Sequence, residues 1–504
     1  MNAEASRRRL PPGVVWVFWV FAIAGYVPFL RKEPSELKVY VTAAERMAAD
    51  ERIHRPEDDK PFTYPPFFAI PFLPFAILPK EPWFQRTIWY VANLGVLWWL
   101  IRFVERRIRL EATDERPALF WVLALVLTGR HLSSVFENQS HDLLVLFAVA
   151  LGLDAAVSHR ITASGFLVGA GAAMKATPLL FFPYFLWKRR WLAAAAVVLV
   201  FAVLSLLPEL FFQSDTGRTY LEDWYHAFLA GMDPSDPGAP ATASRPGVWR
   251  AWNPLNQSLS GTIYRFFTPA PPRDGHVDVA IATLSPGTIK LVTYAAMAPL
   301  LALFLFVTRP VRPPEEERER RLRLCGEFGL FLCGMVLFSP MSSKSHFCVL
   351  LIGQAFLVAH VVRRRDAISV AMLAAIAALS ILTTRDALGR DIGNAVLACG
   401  PVTWVALLTA LAIARVLQSS RPGRIPHGVA AGDANSFSSR VPETETFSKR
   451  IRTGRATKVF SSESEIPENV LQSFQSATVG SSCAPPRTYS HWTMRRPSRV
   501  TQSQ

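Results

Sequence analysis

Apolar blocks separated by short basic clusters fill the chain as far as residue 416, at 14–30, 84–103, 117–129, 142–157, 162–173, 177–187, 191–208, 286–308, 325–340, 347–362, 367–383 and 395–416. The blocks are not the one-sided stripes of surface helices, and the longer ones reach the roughly 20 residues that span a bilayer. The pattern predicts an all-α polytopic membrane protein with about twelve transmembrane helices. The third, fifth and sixth blocks are short, which suits broken or tilted helices around a cavity.

One further apolar stretch, 62–79, contains Pro65, Pro66, Pro71, Pro74 and Pro79. Each proline removes a backbone donor, so a lipid-exposed helix of this sequence would be badly interrupted. It is expected to be a juxtamembrane or re-entrant element on the outer side. Basic residues support this count: with the N-terminus inside, Arg102, Arg106 and Arg107, then Arg160, then Lys188 to Arg190, then Arg309 and Arg312, then Arg363 to Arg365 all follow even-numbered blocks. Under the positive-inside rule those ends are cytoplasmic.

Composition agrees with a membrane chain, since half of the 504 residues are apolar and 18% are charged. The net charge of +15 would admit a nucleic-acid partner, but the cations sit at block ends and describe topology instead. No nucleic-acid partner is expected. Cys325, Cys333, Cys348, Cys399 and Cys483 lack the spacing of a zinc site, so neither metal, disulfide nor cofactor is inferred. The first block is followed by Arg31-Lys32-Glu33 rather than a small-residue cleavage site, which predicts a retained helix. Residues 1–416 form the expected membrane domain, with long outer loops at 31–83 and 209–285. Residues 417–504, rich in Ser, Thr, Arg and Pro, are an expected disordered cytoplasmic tail.

The polar connections assigned to the outer side carry the candidate chemistry. The first contains Glu36-Leu-Lys-Val-Tyr-Val-Thr-Ala-Ala-Glu45 and ends in Tyr64-Pro-Pro. Further along come Glu137-Asn-Gln-Ser-His-Asp142, Met174-Lys-Ala-Thr-Pro178, Asn253-Pro-Leu-Asn-Gln-Ser-Leu259 and Phe338-Ser-Pro-Met-Ser-Ser-Lys-Ser-His346. In this order the stretches resemble glycosyltransferase family 87, the polyprenyl-phosphate-mannose-dependent α-mannosyltransferases, over roughly residues 14–362. The resemblance implies a GT-C multi-helix fold whose outer loops carry short helices. It also implies a polyprenyl-phosphate sugar donor, mannose in that family, a catalytic carboxylate on the first outer loop, and inverting transfer to a glycolipid or glycan hydroxyl. The family usually has Asp where this chain has Glu36.

Inverting displacement at an anomeric carbon needs a base for the acceptor proton, and Glu36 is the first candidate. Glu33, Glu45, Asp58 and Asp59 are rivals that read equally as solvated loop charges. The leaving phosphate needs cations at the membrane surface, which Lys175, Lys344 and His346 could supply. Lys175 snorkelling to the interface and His346 as an ordinary interfacial histidine are the plainer alternatives. Tyr40, Tyr64, Glu137, Asn138, Gln139, His141, Asp142, Asn253, Asn256 and Gln257 are candidates for sugar or acceptor binding, amides being able both to donate and to accept. Trp252 fits an interfacial belt better than a sugar platform. A transporter or flippase of lipid-linked sugar is the alternative from another class, with Lys175 lying between short helices. Either activity would place the protein in the cytoplasmic membrane among its lipids, with its site on the extracytoplasmic side.

Overall fold

The structure, a computed structural model, describes residues 10–33, 36–78, 81–112, 116–230, 253–270, 277–310, 316–383 and 388–419. Trp252, Arg312 and residues 420–504 of the expected tail lie outside them. All regular elements among the described residues are helical.

Helix α1 (Pro12–Arg31) turns Trp16, Trp19 and Ile23 outward. The first long loop is more ordered than its polarity suggests, because it holds α2 (Glu36–Ala48). Leu37, Tyr40, Val41, Ala44 and Met47 recur at helical spacing and are buried. They lie on the proline-rich stretch, which forms a 3-10 turn (Pro66–Phe72) and α3 (Leu73–Ile77). Neither piece has the length of a span, as its prolines predict.

Next come α4 (Pro82–Val104), α5 (Pro117–Asn138), α6 (Asp142–Val157), α7 (Ile161–Met174), α8 (Phe181–Trp187) and α9 (Trp191–Leu206). The second long loop contributes α10 (Tyr220–Trp224), started by a Thr219/Glu222 capping box, and α11 (Leu259–Phe267). The chain closes with α12 (Pro286–Thr308), α13 (Glu317–Leu337), α14 (Leu351–Arg364), α15 (Ala367–Leu382), α16 (Arg390–Ala398) and α17 (Pro401–Ser419). All twelve apolar blocks lie on helices, but among the described residues only seven helices are long and apolar enough to cross a membrane by themselves. The shortfall has a physical reason. Helix α6 is wrapped by neighbours, and a span shielded from lipid does not have to match the hydrocarbon thickness, while α13 is long enough but opens on the charged run 317–323.

The third block corrects its expectation in the other direction. It is not a short span ending at 129, because α5 runs on through Arg130 and His131 to Asn138. Those polar residues ended the apolar block without ending the helix, since His131 and Ser134 point into the protein.

Packing of α7 on α9 sets the height of the site. Gly165 and Gly169 lie one turn apart on the α7 face that meets α9, and a Cβ on Gly165 would collide with the Ala193 backbone. On Gly169 it would lie 2.8 Å from the Val197 carbonyl oxygen. Small residues at this spacing let two backbones approach closely. Helix α7 stops at Met174 because Pro178 lacks the N–H that would bond to the Met174 carbonyl, and its ring would strike that oxygen.

Replacing Gly165 with Leu is therefore expected to destabilise the bundle by about 1–3 kcal/mol or more. Thermal unfolding in detergent should show the loss. Gly95→Leu, at a position with nothing within 4 Å of its Cβ, should leave the melting curve nearly unchanged.

Candidate active site

Glu36 opens α2, where the positive end of the helix dipole favours a carboxylate. Its side chain is partly buried under two tyrosines. The Tyr64 hydroxyl donates to Glu36 Oε2 at 3.1 Å and the Tyr40 hydroxyl lies 3.3 Å from the same oxygen. Tyr40 is fixed by aromatic contacts, with Phe68 and Phe72 centred 5.0 and 5.1 Å away. Tyr64 is held through its backbone, since buried His54 approaches the Tyr64 carbonyl oxygen through Nε2 at 2.9 Å. Burial lowers the His54 imidazole to about 4, so it is neutral and donates from that nitrogen. The Glu36 carboxyl is raised above its ordinary value, chiefly by burial and then by the negative charge of Asp142, while the Tyr64 hydrogen bond, Lys60 and Lys175 partly offset the rise.

Helix α5 delivers the second half of the site. It ends in a Schellman turn, with Gln139 in the left-handed conformation at φ 54°, its N–H bonded to the Phe136 carbonyl and the Ser140 N–H bonded to that of Val135. This tight exit brings His141 and Asp142 directly beside the α2 tyrosines. His141 Nδ1 is 2.8 Å from the Tyr40 hydroxyl. Tyr40 satisfies both neighbours when it donates to Glu36 and accepts from Nδ1–H, which leaves His141 Nε2 as an acceptor. That atom is buried and has no hydrogen-bond partner among the described residues.

Asp142 receives Lys175 Nζ at 2.7 Å on one oxygen and the Ser140 hydroxyl at 2.6 Å on the other. His346 Nε2 is 3.9 Å from the second oxygen. Since the Ser343 N–H donates to His346 Nδ1 at 3.2 Å, a neutral His346 carries its proton on Nε2, facing Asp142. The cavity between Asp142, Lys175, Thr177, Ser339, Ser342 and His346 measures about 10 Å³, the room of one water, so a larger ligand enters only if these elements part. On the other face of α2, Lys38, Thr42, Arg46, Asp58, Asp59 and Lys60 line a cavity of about 360 Å³, a volume that holds a small ligand.

Of the residues singled out in the sequence, Glu36, Tyr40, Tyr64, His141, Asp142, Lys175 and His346 thus meet in one place. The others are employed elsewhere. Lys344 Nζ donates to the Thr383 carbonyl. Glu137 pairs with Arg130 on α5, and the Asn138 amide donates to the Ser134 carbonyl. Gln139 reaches the Phe29 carbonyl, and its own carbonyl accepts from Trp89. Asn253 caps the following turn through the Leu255 N–H. The Asn256 amide donates to the Pro340 carbonyl and its oxygen accepts from the Ser258 and Ser342 N–H groups. Gln257 donates to the Leu397 carbonyl and accepts from the Val402 N–H. These amides brace the 339–343 loop and the start of α17 rather than pointing into the site. Among the rivals of Glu36, Asp58 is taken by Arg46, while Glu33 and Asp59 are exposed.

Sequence reasoning missed Ser140 and His54. Ser140 stands between two chosen residues and could have been found by proximity. His54 acts on a backbone carbonyl ten residues away, a contact with no side-chain signature.

The geometry can be set beside known proteins. The family model of glycosyltransferase family 87 matches residues 62–340. Over 212 residues the chain is 31% identical to the polyprenol-phosphate-mannose-dependent alpha-(1-2)-phosphatidylinositol pentamannoside mannosyltransferase of Mycolicibacterium smegmatis, covering 40% of this chain and 49% of that protein. The protein of the same description from Mycobacterium tuberculosis is 31% identical over 169 residues, which cover 33% of this chain and 38% of the relative. A Mycobacterium tuberculosis polyprenol-phosphate-mannose-dependent alpha-(1-2)-phosphatidylinositol mannoside mannosyltransferase is 27% identical over 187 residues, covering 34% and 42%. The chain spans half or less of the length of these curated relatives. Tyr64, His141, Asp142 and Lys175 lie inside the family match, whereas Glu36 and His346 flank it. Because that match extends over more than half of the 504 residues, the chain belongs to glycosyltransferase family 87.

Proposed function

We propose that this protein is a membrane mannosyltransferase that moves mannose from a polyprenyl phosphate to a glycolipid or glycan hydroxyl on the extracytoplasmic face, by inverting displacement with Glu36 as base. The observation that carries the reading is a pair of carboxylates in contrasting surroundings. Asp142 is tied to Lys175 and Ser140, whereas Glu36 is held, among the described residues, by neutral hydroxyls. A base must take a proton during the reaction, and the carboxylate without an ion-pair partner at its own oxygens is the better suited of the two.

In the proposed step the acceptor oxygen attacks the anomeric carbon from the side opposite the phosphate. Its proton passes to Glu36, and the electron pair of the breaking C–O bond leaves with the lipid phosphate. Lys175 gives one of its three N–H bonds to Asp142 and keeps two for the phosphate oxygens, while the Nε2 proton of His346 supplies another. These donors would act where negative charge develops. Lys344 is turned toward the Thr383 carbonyl and takes no part in this step. The names of the relatives support mannose and a phosphatidylinositol-mannoside type of acceptor.

The test uses purified protein, radiolabelled polyprenyl-phosphomannose and a glycolipid extract. Labelled glycolipid should form, and Glu36→Gln should lower the rate by about 10²–10⁴-fold at unchanged thermal stability. Product formation indifferent to that change removes Glu36 as base. Movement of labelled lipid across a vesicle bilayer with no product would favour a carrier.

The pH profile supplies a second test. Only the Glu36 carboxylate accepts a proton, so activity should fall as pH drops through its raised pKa. Tyr64→Phe deletes the hydrogen bond that lowers that pKa, and the acid limb should move to higher pH. An unmoved limb would separate Tyr64 from the ionising group.

A further inference from the structure

The same helices carry a second concave site at their other end. Helix α6 begins at Asp142 and has 16 residues, so its last turn lies about 24 Å from the site above. There the α8–α9 turn, the exit of α12 and the first turns of α13 enclose a cavity of about 210 Å³. Lys188, Arg190, Arg320 and Arg323 line it, with Glu327 as the single acidic group in the wall.

Pairing does not consume this positive charge. Lys188 and Arg323 share the one buried carboxylate of Glu327, at 3.0 Å each. Arg320 pairs with Glu317, just outside the wall. Arg190 is exposed and has no ion-pair partner among the described residues. Among the described residues, four cations against the carboxylates of Glu317 and Glu327 leave a surplus of two positive charges in a partly enclosed space. Low local dielectric and several N–H donors converging on one volume suit a phosphate group.

The surroundings say which kind of phosphate. Trp187 and Trp191, which flank the Lys188 to Arg190 turn, are 40% and 64% exposed, and Leu192 is 73% exposed. Trp187 donates its indole N–H to the Leu305 carbonyl at 3.0 Å, and Arg309 lies 4.7 Å over the Phe306 ring. Exposed tryptophans beside cations mark the level where hydrocarbon meets headgroups. A free phosphate would use the cations alone. A lipid phosphate would use both them and the adjoining apolar surface.

We propose that this cavity binds the phosphate of an anionic membrane lipid, with its acyl chains lying along Trp187, Trp191 and Leu192. The site does not depend on the transferase reading, since it shares no side chain with the Glu36 and Asp142 cluster.

Native mass spectrometry of the detergent-purified full chain tests this, with phosphatidylglycerol, phosphatidylcholine and inorganic phosphate as separate probes. Phosphatidylglycerol should be retained in preference to phosphatidylcholine. Arg190→Gln should weaken its retention about fivefold, the effect of one cation near an anionic lipid, and Arg190→Lys should restore it. Thermal unfolding should show that Arg190→Gln is folded, as expected for an exposed side chain. Equal retention of the two lipids, or of phosphatidylglycerol by protein and variant, overturns the proposal. So does inorganic phosphate that competes phosphatidylglycerol off at equal concentration, because that result assigns the cavity to a free anion.

Discussion

A buried carboxylate and a half-buried ammonium at the same level inside a helical bundle constrain everything around them. Desolvating Asp142 and Lys175 costs several kcal/mol per ion, and the cost is recovered only if the partners meet with good geometry and the remaining lone pairs are bonded. The 2.7 Å contact therefore requires α6 to begin and α7 to end at one height. The Schellman turn at Gln139 fixes the first, Pro178 fixes the second, and the glycine contact of α7 with α9 holds α7 at that height. Ser140 takes up the second Asp142 oxygen, so the pair is satisfied without a solvent-filled chamber.

The same requirement explains why the amides of the second long loop do not line the site. His346 can face Asp142 only if the loop from Ser339 to Ser343 is rigid, and that partly buried loop has carbonyls and N–H groups left unpaired by any helix to satisfy. Asn256 takes the Pro340 carbonyl and the Ser342 N–H, the Ser258 hydroxyl takes the Pro340 carbonyl too, and the Gln257 N–H takes that of Ser342. Arg265, buried below, collects the carbonyls of Asn253, Asn256 and Ala398. An amide that both donates and accepts suits a sugar hydroxyl and a peptide group equally, so composition alone could not separate the two uses.

What was legible in the sequence follows from which forces act locally. Apolar blocks of bilayer length report burial or lipid contact directly, and each falls on a helix. Their ends were read too early wherever a helix carries polar residues on an inward face, as α5 does at His131 and Ser134. The amphipathic run of α2 was present in the sequence, but its polar half made it look like loop. Glu36 could be chosen through the resemblance to family 87 and the need for a base, Lys175 because a charge between membrane segments is costly and needs a purpose, and His346 as a cation for the leaving phosphate. Lys344 met the same criterion and found its purpose at the carbonyl of Thr383, a long-range contact that no local pattern encodes. His54 and its carbonyl partner were invisible for the same reason.

Charge is distributed unequally between the two ends of the bundle, and this bears on how an anionic donor would be recognised. Helix C-termini at the basic end close with Arg189 and Arg365 in the left-handed conformation, where cations also complement the negative end of the helix dipole. At the other end, Lys175 is matched by Asp142, and Glu36 adds a second carboxyl close by. A phosphate arriving there meets no surplus positive charge from the Lys175, Asp142 and Glu36 side chains themselves. Selectivity at that end would rest on individually aimed protons, those of Lys175 Nζ and His346 Nε2, and so on the hydrogen bonds that fix the rotamers of both side chains. Attraction by net charge would belong to the opposite end of the same helices, and the length of α6 would keep the two proposed kinds of phosphate recognition apart.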